Sequence, residues 1–147
     1  MHIPFLQRLQ GLAGPAVSKV MSSGSGPEKD AAERIIQQVL AGLPELLGAA
    51  VVQLASGQAL AQYTSSREFH LSKVLGFNTE VVRQQQKALA ALQLGPDEQL
   101  EEILITLHTQ LHLLRLLPDG QRFLYVAVDC RDTNLGIARE VMRTCEQ

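Results

Sequence analysis

The sequence predicts an α+β sandwich, a five-stranded antiparallel sheet with helices on both faces in the order α-β-β-α-β-β-β-α. The first observation is a dense stretch, LHLLRLLPDGQRFLYVAVDCRDTNLGIAR, in which an apolar run, a Pro-Asp-Gly turn, a second apolar run and a helix follow one another. The second is a shorter hairpin pattern, GAAVVQLASGQALAQ, turning at Ala55-Ser56-Gly57. The third is helical spacing of apolar residues before, between and after these strand groups.

In chain order, residues 1–26 read as an N-terminal arm and linker, and residues 27–147 as one domain. Ile3, Phe5, Leu6, Leu9 and Leu12 make a weak amphipathic stretch, but Arg8 interrupts it, which argues against an export signal. Residues 22–26, SSGSG, have flexible-linker composition. The first helix opens at Pro27, whose fixed φ and missing N–H suit a first turn, with Glu28 and Asp30 complementing the dipole. Ala32, Ile35, Ile36, Val39, Leu40 and Leu43 form its apolar face, and it ends near Gly42. Strands over residues 49–54 and 58–64 follow, with Gly57 supplying the left-handed turn conformation.

Ser65 and Glu68 match a capping box, so a helical segment is expected there. Gly76 is expected to bend or break it, Asn78 to cap again, and residues 79–94 to form a helix apolar on more than one side, ended by Gly95-Pro96. Strands are expected over 100–107, 109–117 and 123–129, the first two joined at His108. Both faces of these strands are apolar and both need cover. Asp132 or Thr133 is expected to cap the last helix, with Leu135, Ile137, Ala138, Val141, Met142 and Cys145 at helical spacing.

Composition narrows the function. The chain has 147 residues, 46% hydrophobic and 19% charged, with net charge -2. No apolar run approaches the roughly 18 residues of a membrane span, and no basic cluster offers the electrostatic footprint of a nucleic-acid binder. Cys130 and Cys145 without a secretion signal suggest free thiols in a reducing, cytoplasmic setting. No GxxxxGK[ST], GxSxG or HExxH pattern occurs, so no catalytic residue, cofactor or metal is expected. His108 and His112, preceded by Glu101 and Glu102, form the best metal candidate, yet a pair at a hairpin is more often ordinary strand residues. Arg115, Arg122, Arg139 and Arg143 read as solvated charge rather than as an inserted catalytic arginine.

The element order, with Asp129 ending a strand and Asn134-Leu135-Gly136-Ile137-Ala138-Arg139 opening a helix, resembles the roadblock and dynein light chain family, related to longin and profilin-like folds. The likeness spans residues 28–145, and its motif residues here are Asp129, Asn134, Leu135, Gly136 and Arg139. A prokaryotic member is expected. The resemblance implies a dimer, with itself or a second roadblock-like chain, built on a continuous sheet and paired middle helices. It implies a scaffold or regulator for a small Ras-like GTPase, or for a related signalling or motility complex. The apolar edge strand and the middle helix are the expected contact surface, through Val82, Arg83, Gln86, Leu89, Ile103 and Ile105. The competing reading is a small-molecule sensor of profilin-like or PAS-like architecture, to which 4% aromatic residues lend little.

Overall fold

The computed structural model describes residues 20–22 and 24–145. The expected arm, residues 1–26, falls mostly outside them. The elements are β1 (Met21–Ser22), α1 (Pro27–Gly42), β2 (Gly48–Gln53), β3 (Ala59–Thr64), α2 (Leu71–Ala91), β4 (Glu102–Thr106), β5 (Gln110–Leu116), β6 (Arg122–Asp129) and α3 (Leu135–Thr144). The strands form a six-stranded sheet in the order β1-β3-β2-β6-β5-β4. Its pairs are antiparallel. The sixth strand corrects the expected five: Met21 and Ser22, at the junction of the expected arm and linker, pair with Gln62 and Ala61.

Alternation along the central strands sends side chains to two cores. Ala49, Val51, Leu124, Val126 and Val128 face α1 and α3, meeting Ala32, Ile36, Val39, Ala138 and Met142. Ala50, Val52, Phe123, Tyr125 and Ala127 face α2, meeting Leu71, Leu75 and Val82. Helices on both faces are therefore what makes these strands apolar throughout. β6 lies between β2 and β5, and its residues 123–128 are fully buried.

Turn chemistry sets the hairpins. Gly57 has φ +72° and Gly120 φ +67°, conformations that cost glycine little. At the second turn, the Asp119 carboxylate accepts from the Gln121 amide at 2.9 Å and from Arg122 Nε at 2.8 Å. Those bonds hold its pKa below the usual carboxylate value against the opposing effect of burial.

Three local expectations are corrected. Gly76 and Asn78 lie inside one continuous helix, α2. Burial of Leu71, Leu75 and Val82 against the sheet outweighs the ~1 kcal/mol that an interior glycine costs a helix. The capping box does not form: α2 begins after His70, and the Ser65 hydroxyl instead donates to the Leu47 carbonyl at 3.1 Å. The cap of α3 is Asn134, whose Oδ1 accepts from the Ile137 amide at 2.9 Å. Asp132 and Thr133 are used by the preceding turn, where both amides donate to the Asp129 carbonyl.

Candidate functional site

The face covered by α2 is only half closed. Arg83 anchors the helix over the β2–β3 hairpin by donating to the Leu54 and Ala55 carbonyls, the latter at 3.0 Å, while its other nitrogen pairs with Glu80 at 2.5 Å. Beyond Arg83 the helix loses contact with the sheet: residues 84–88 and 90–94 are exposed, and Leu89 is half-buried. Among the described residues no helix covers this face over β5 and β4, and Ile103, Ile105, His112 and Leu116 remain half-buried. Among the described residues β4 ends the sheet, so one row of its backbone groups has no described strand beside it.

α2 carries a second, exposed apolar stripe. Phe77, Val81, Ala88 and Leu92 recur at spacings that keep them on one side of a helix, roughly opposite to the buried turn of Leu75 and Val82. Phe77 is 75% exposed and Leu92 64% exposed, high values for large apolar side chains in the middle and at the end of a helix. A groove of about 710 Å³ continues the open region between the end of α2, residues 96–101 and the β5–β6 hairpin. Leu89, Leu94, Leu100 and Leu116 give it an apolar lining, and Asp97, Glu98 and Glu101 lie along it.

The expected contact residues divide. Ile103 and Ile105 lie on the open edge strand, and Gln86 and Leu89 on the half-free part of α2. Val82 is fully buried against the chain's own sheet, so a partner cannot reach it. Arg83 is engaged within the chain at the hairpin carbonyls. The expected set omitted Phe77 and Leu92; the signal was their shared helical side with Val81, hidden by the expected break at Gly76.

The Asp129-to-Arg139 motif works structurally. Asp129 closes β6, and its carboxylate accepts from Arg131 Nε and from the Arg131 amide, both at 2.9 Å. Those bonds pull its pKa down to about 2 and raise that of Arg131. Asn134 caps α3, half-buried Leu135 packs on the core, and exposed Gly136 sits beside the cap. Arg139 reaches from α3 to Glu102 on β4, with Nε 2.9 Å from the carboxylate, which raises its pKa. It braces the open edge strand from the opposite face.

A polar cluster lies beneath the open half. Tyr125 Oη is 2.8 Å from His112 Nδ1, and His112 Nε2 is 2.8 Å from Gln110 Oε1. Burial lowers the His112 pKa, while burial raises the Tyr125 hydroxyl to about 12 against a smaller opposing influence of Asn78. Both His112 ring nitrogens are thus occupied, and His108 is exposed in the loop over residues 107–109 that joins β4 to β5. Among the described residues no group of three or more His, Cys, Asp or Glu is placed to hold a metal ion, and Cys130 and Cys145 are free thiols. No helix of the described residues is long and apolar enough to cross a membrane.

The fold recurs in solved structures. Myxococcus xanthus MglB superposes with a TM-score of 0.68 at 10% identity, over 84% of this chain and 88% of that one. The fold is that of a roadblock domain. A Roadblock/LC7 domain from Streptomyces avermitilis gives a TM-score of 0.59 at 11% identity, over 80% of this chain and 90% of its own. An MglB solved in a tetrameric arrangement gives 0.65 at 15% identity, over 91% and 92%. No protein-family model and no curated protein matches the sequence.

Proposed function

We propose that this chain is a non-enzymatic, dimeric interaction module of the cytoplasm that regulates or scaffolds a small Ras-like GTPase or a related signalling or motility complex. The observations that carry the reading are an edge strand, β4, that bears Ile103 and Ile105, and the exposed apolar Phe77, Val81 and Leu92 on α2 of the same molecule. An apolar edge left bare invites strand pairing, and pairing two copies there hides both edges and both stripes at once. The likeness to an MglB of tetrameric arrangement supports self-association. The GTPase partner follows from the roadblock resemblance, and the surface for it is the polar, outward part of α2 around Gln84, Gln85 and Lys87.

Sedimentation across a micromolar concentration series tests the assembly. A dimer is expected for the native chain and a monomer for Ile103→Lys combined with Phe77→Ser; a native chain that stays monomeric overturns the reading. GTP-loaded and GDP-loaded forms of a small Ras-like GTPase then test the partner. Binding that depends on the nucleotide is expected, and no binding of either form removes the GTPase assignment.

One observation favours a second reading, a small-molecule sensor. The 710 Å³ groove beside Leu89, Leu94 and Leu100 falls in the size range of ligand sites, about 300–1,000 Å³. Thermal shifts against a metabolite panel that vanish in Leu94→Glu support it, and a flat response removes it.

A further inference from the structure

Among the described residues β4 has one open side, and its hydrogen bonds decide which backbone groups line it. Along an antiparallel strand successive residues turn their N–H and C=O to opposite sides, so the bonds to β5 fix the alternation. The Glu101 carbonyl accepts from the Leu116 amide, and the Leu107 amide donates to the Gln110 carbonyl, so odd-numbered residues from Glu101 to Leu107 face β5. Glu102, Leu104 and Thr106 therefore point their backbone groups to the open side. Side chains alternate as well. Ile103 and Ile105 pack with the α2-side core and Leu104 with the other, and the same alternation puts Glu101 and Leu107 on the α2 side.

A second copy that extends the sheet at this edge, with both α2 helices on one face, pairs antiparallel about a two-fold axis normal to the sheet. Centring that axis on Leu104 pairs Leu104 with itself and Glu102 with Thr106, which satisfies every outward backbone group of β4. A register centred on Ile103 leaves Thr106 opposite Leu100, and one centred on Ile105 leaves Glu102 opposite His108, both outside the strand. The Leu104 register also sets half-buried Ile103 against Ile105 of the second copy and opposes no like charges. Its next pair is Leu107 of the second copy with Glu101. Leu107 is 47% exposed in the single chain, where it opens the loop between β4 and β5. Glu101 and Leu116 lie side by side in the groove at the end of α2, so that row continues into Leu107 of the second copy. Residues 107–109, Leu-His-Thr, bring no acidic group to oppose Asp97, Glu98 and Glu101.

We infer that a second copy docks along β4 with the two-fold axis at Leu104, and that its β4–β5 loop, through Leu107, walls the open side of the groove at the end of α2. Each groove is then the joint product of two chains and is incomplete in one. The inference rests on the self-association proposed above and adds to it a register and a site that the register completes.

A charge exchange in the full chain, followed by sedimentation, tests it. Leu107→Glu sets a carboxylate opposite Glu101 of the second copy and is expected to weaken the dimer by at least about tenfold for each of the two equivalent contacts. Adding Glu101→Lys to the same chain is expected to restore the dimer, because the opposed pair becomes Glu and Lys. Within one chain the two positions stand at opposite ends of β4, about 20 Å apart, so the rescue acts only across the interface. A second measurement leaves the loop untouched. Under mild oxidation Leu104→Cys is expected to form a disulfide between copies, at the ~5.5 Å Cα separation of directly opposed residues. Ile103→Cys and Ile105→Cys, each roughly 8 Å from its own counterpart in this register, are expected to form none. Peptide mapping by mass spectrometry distinguishes these bridges from any through Cys130 or Cys145. A Leu107→Glu chain that dimerises as tightly as the native one, a double variant as weak as the single, or a bridge at 103 or 105 in place of 104 overturns the register while the dimer stands. A native chain that is monomeric at every concentration overturns both.

Discussion

Asn134 carries one clear local role, satisfying the Ile137 amide at the start of α3. Replacing it with alanine removes that acceptor and is expected to cost about 1 kcal/mol, read as a lower thermal midpoint with unchanged secondary structure. Three successive residues, Asp132, Thr133 and Asn134, have side chains suited to capping, so composition alone does not choose among them. The turn after β6 chooses, because it takes the amides of Asp132 and Thr133 for the Asp129 carbonyl and leaves Asn134 at the helix start. Asp129 itself is held at about 2 by Arg131, through bonds that Arg131→Ala removes. The carboxylate of that variant is expected to titrate nearer its ordinary 3.8, as measured by carbon NMR. The sign follows from the depressed value: the interaction is present above the unfolded pKa and is lost as pH falls towards 2.

At the scale of elements, α2 is the decisive piece. Gly76 sits in its interior with open space where a Cβ would stand. Gly76→Ala is therefore expected to stabilise the chain by roughly 0.5–1 kcal/mol, seen as a raised denaturation midpoint. A true break or bend at this position would give no gain. Arg83 joins the same helix to the β2–β3 hairpin, and Arg83→Met keeps its apolar stem while deleting the donors to Leu54 and Ala55. Because the side chain is 35% exposed and water can replace part of the contact, a loss of about 1 kcal/mol is expected, with faster exchange confined to the hairpin and the middle of α2. The helices, both hairpins and the order of elements were legible because each repeats with the period of its own backbone. The continuity of α2 was not, since local rules weigh Gly76 as a breaker while the packing of Leu75 and Val82 on either side of it lies far away in the sequence.

For the whole molecule, half-buried His112 and buried Tyr125 shape the pH dependence of stability from opposite sides. The folded-state pKa of His112 is lowered, so the unfolded chain binds its proton more readily and stability declines as pH drops below 6.5. That of Tyr125 is raised from 10.0 to about 12, so its contribution is complete below 10 and is lost as pH climbs through 12. The alkaline loss amounts to something on the order of 2 kcal/mol, and Tyr125→Phe should remove it from a series of urea midpoints measured against pH.

The candidate site was only partly visible beforehand. Ile103 and Ile105 were readable as part of an apolar strand that would invite pairing if it stood at a sheet edge. Val81 and Val82 were not separable: adjacent helical residues point about 100° apart, and the docking of α2 on the sheet decides which is core and which is surface. The sequence by itself determined the strands, the helices, the two-sided apolar sheet and the roadblock resemblance, since periodicity and turn chemistry are local. Only the tertiary structure decided the sixth strand at Met21, the open half of the α2 face and the meeting of Tyr125 and His112. Those depend on pairings between distant residues, and their free energy comes from contacts that no single segment contains.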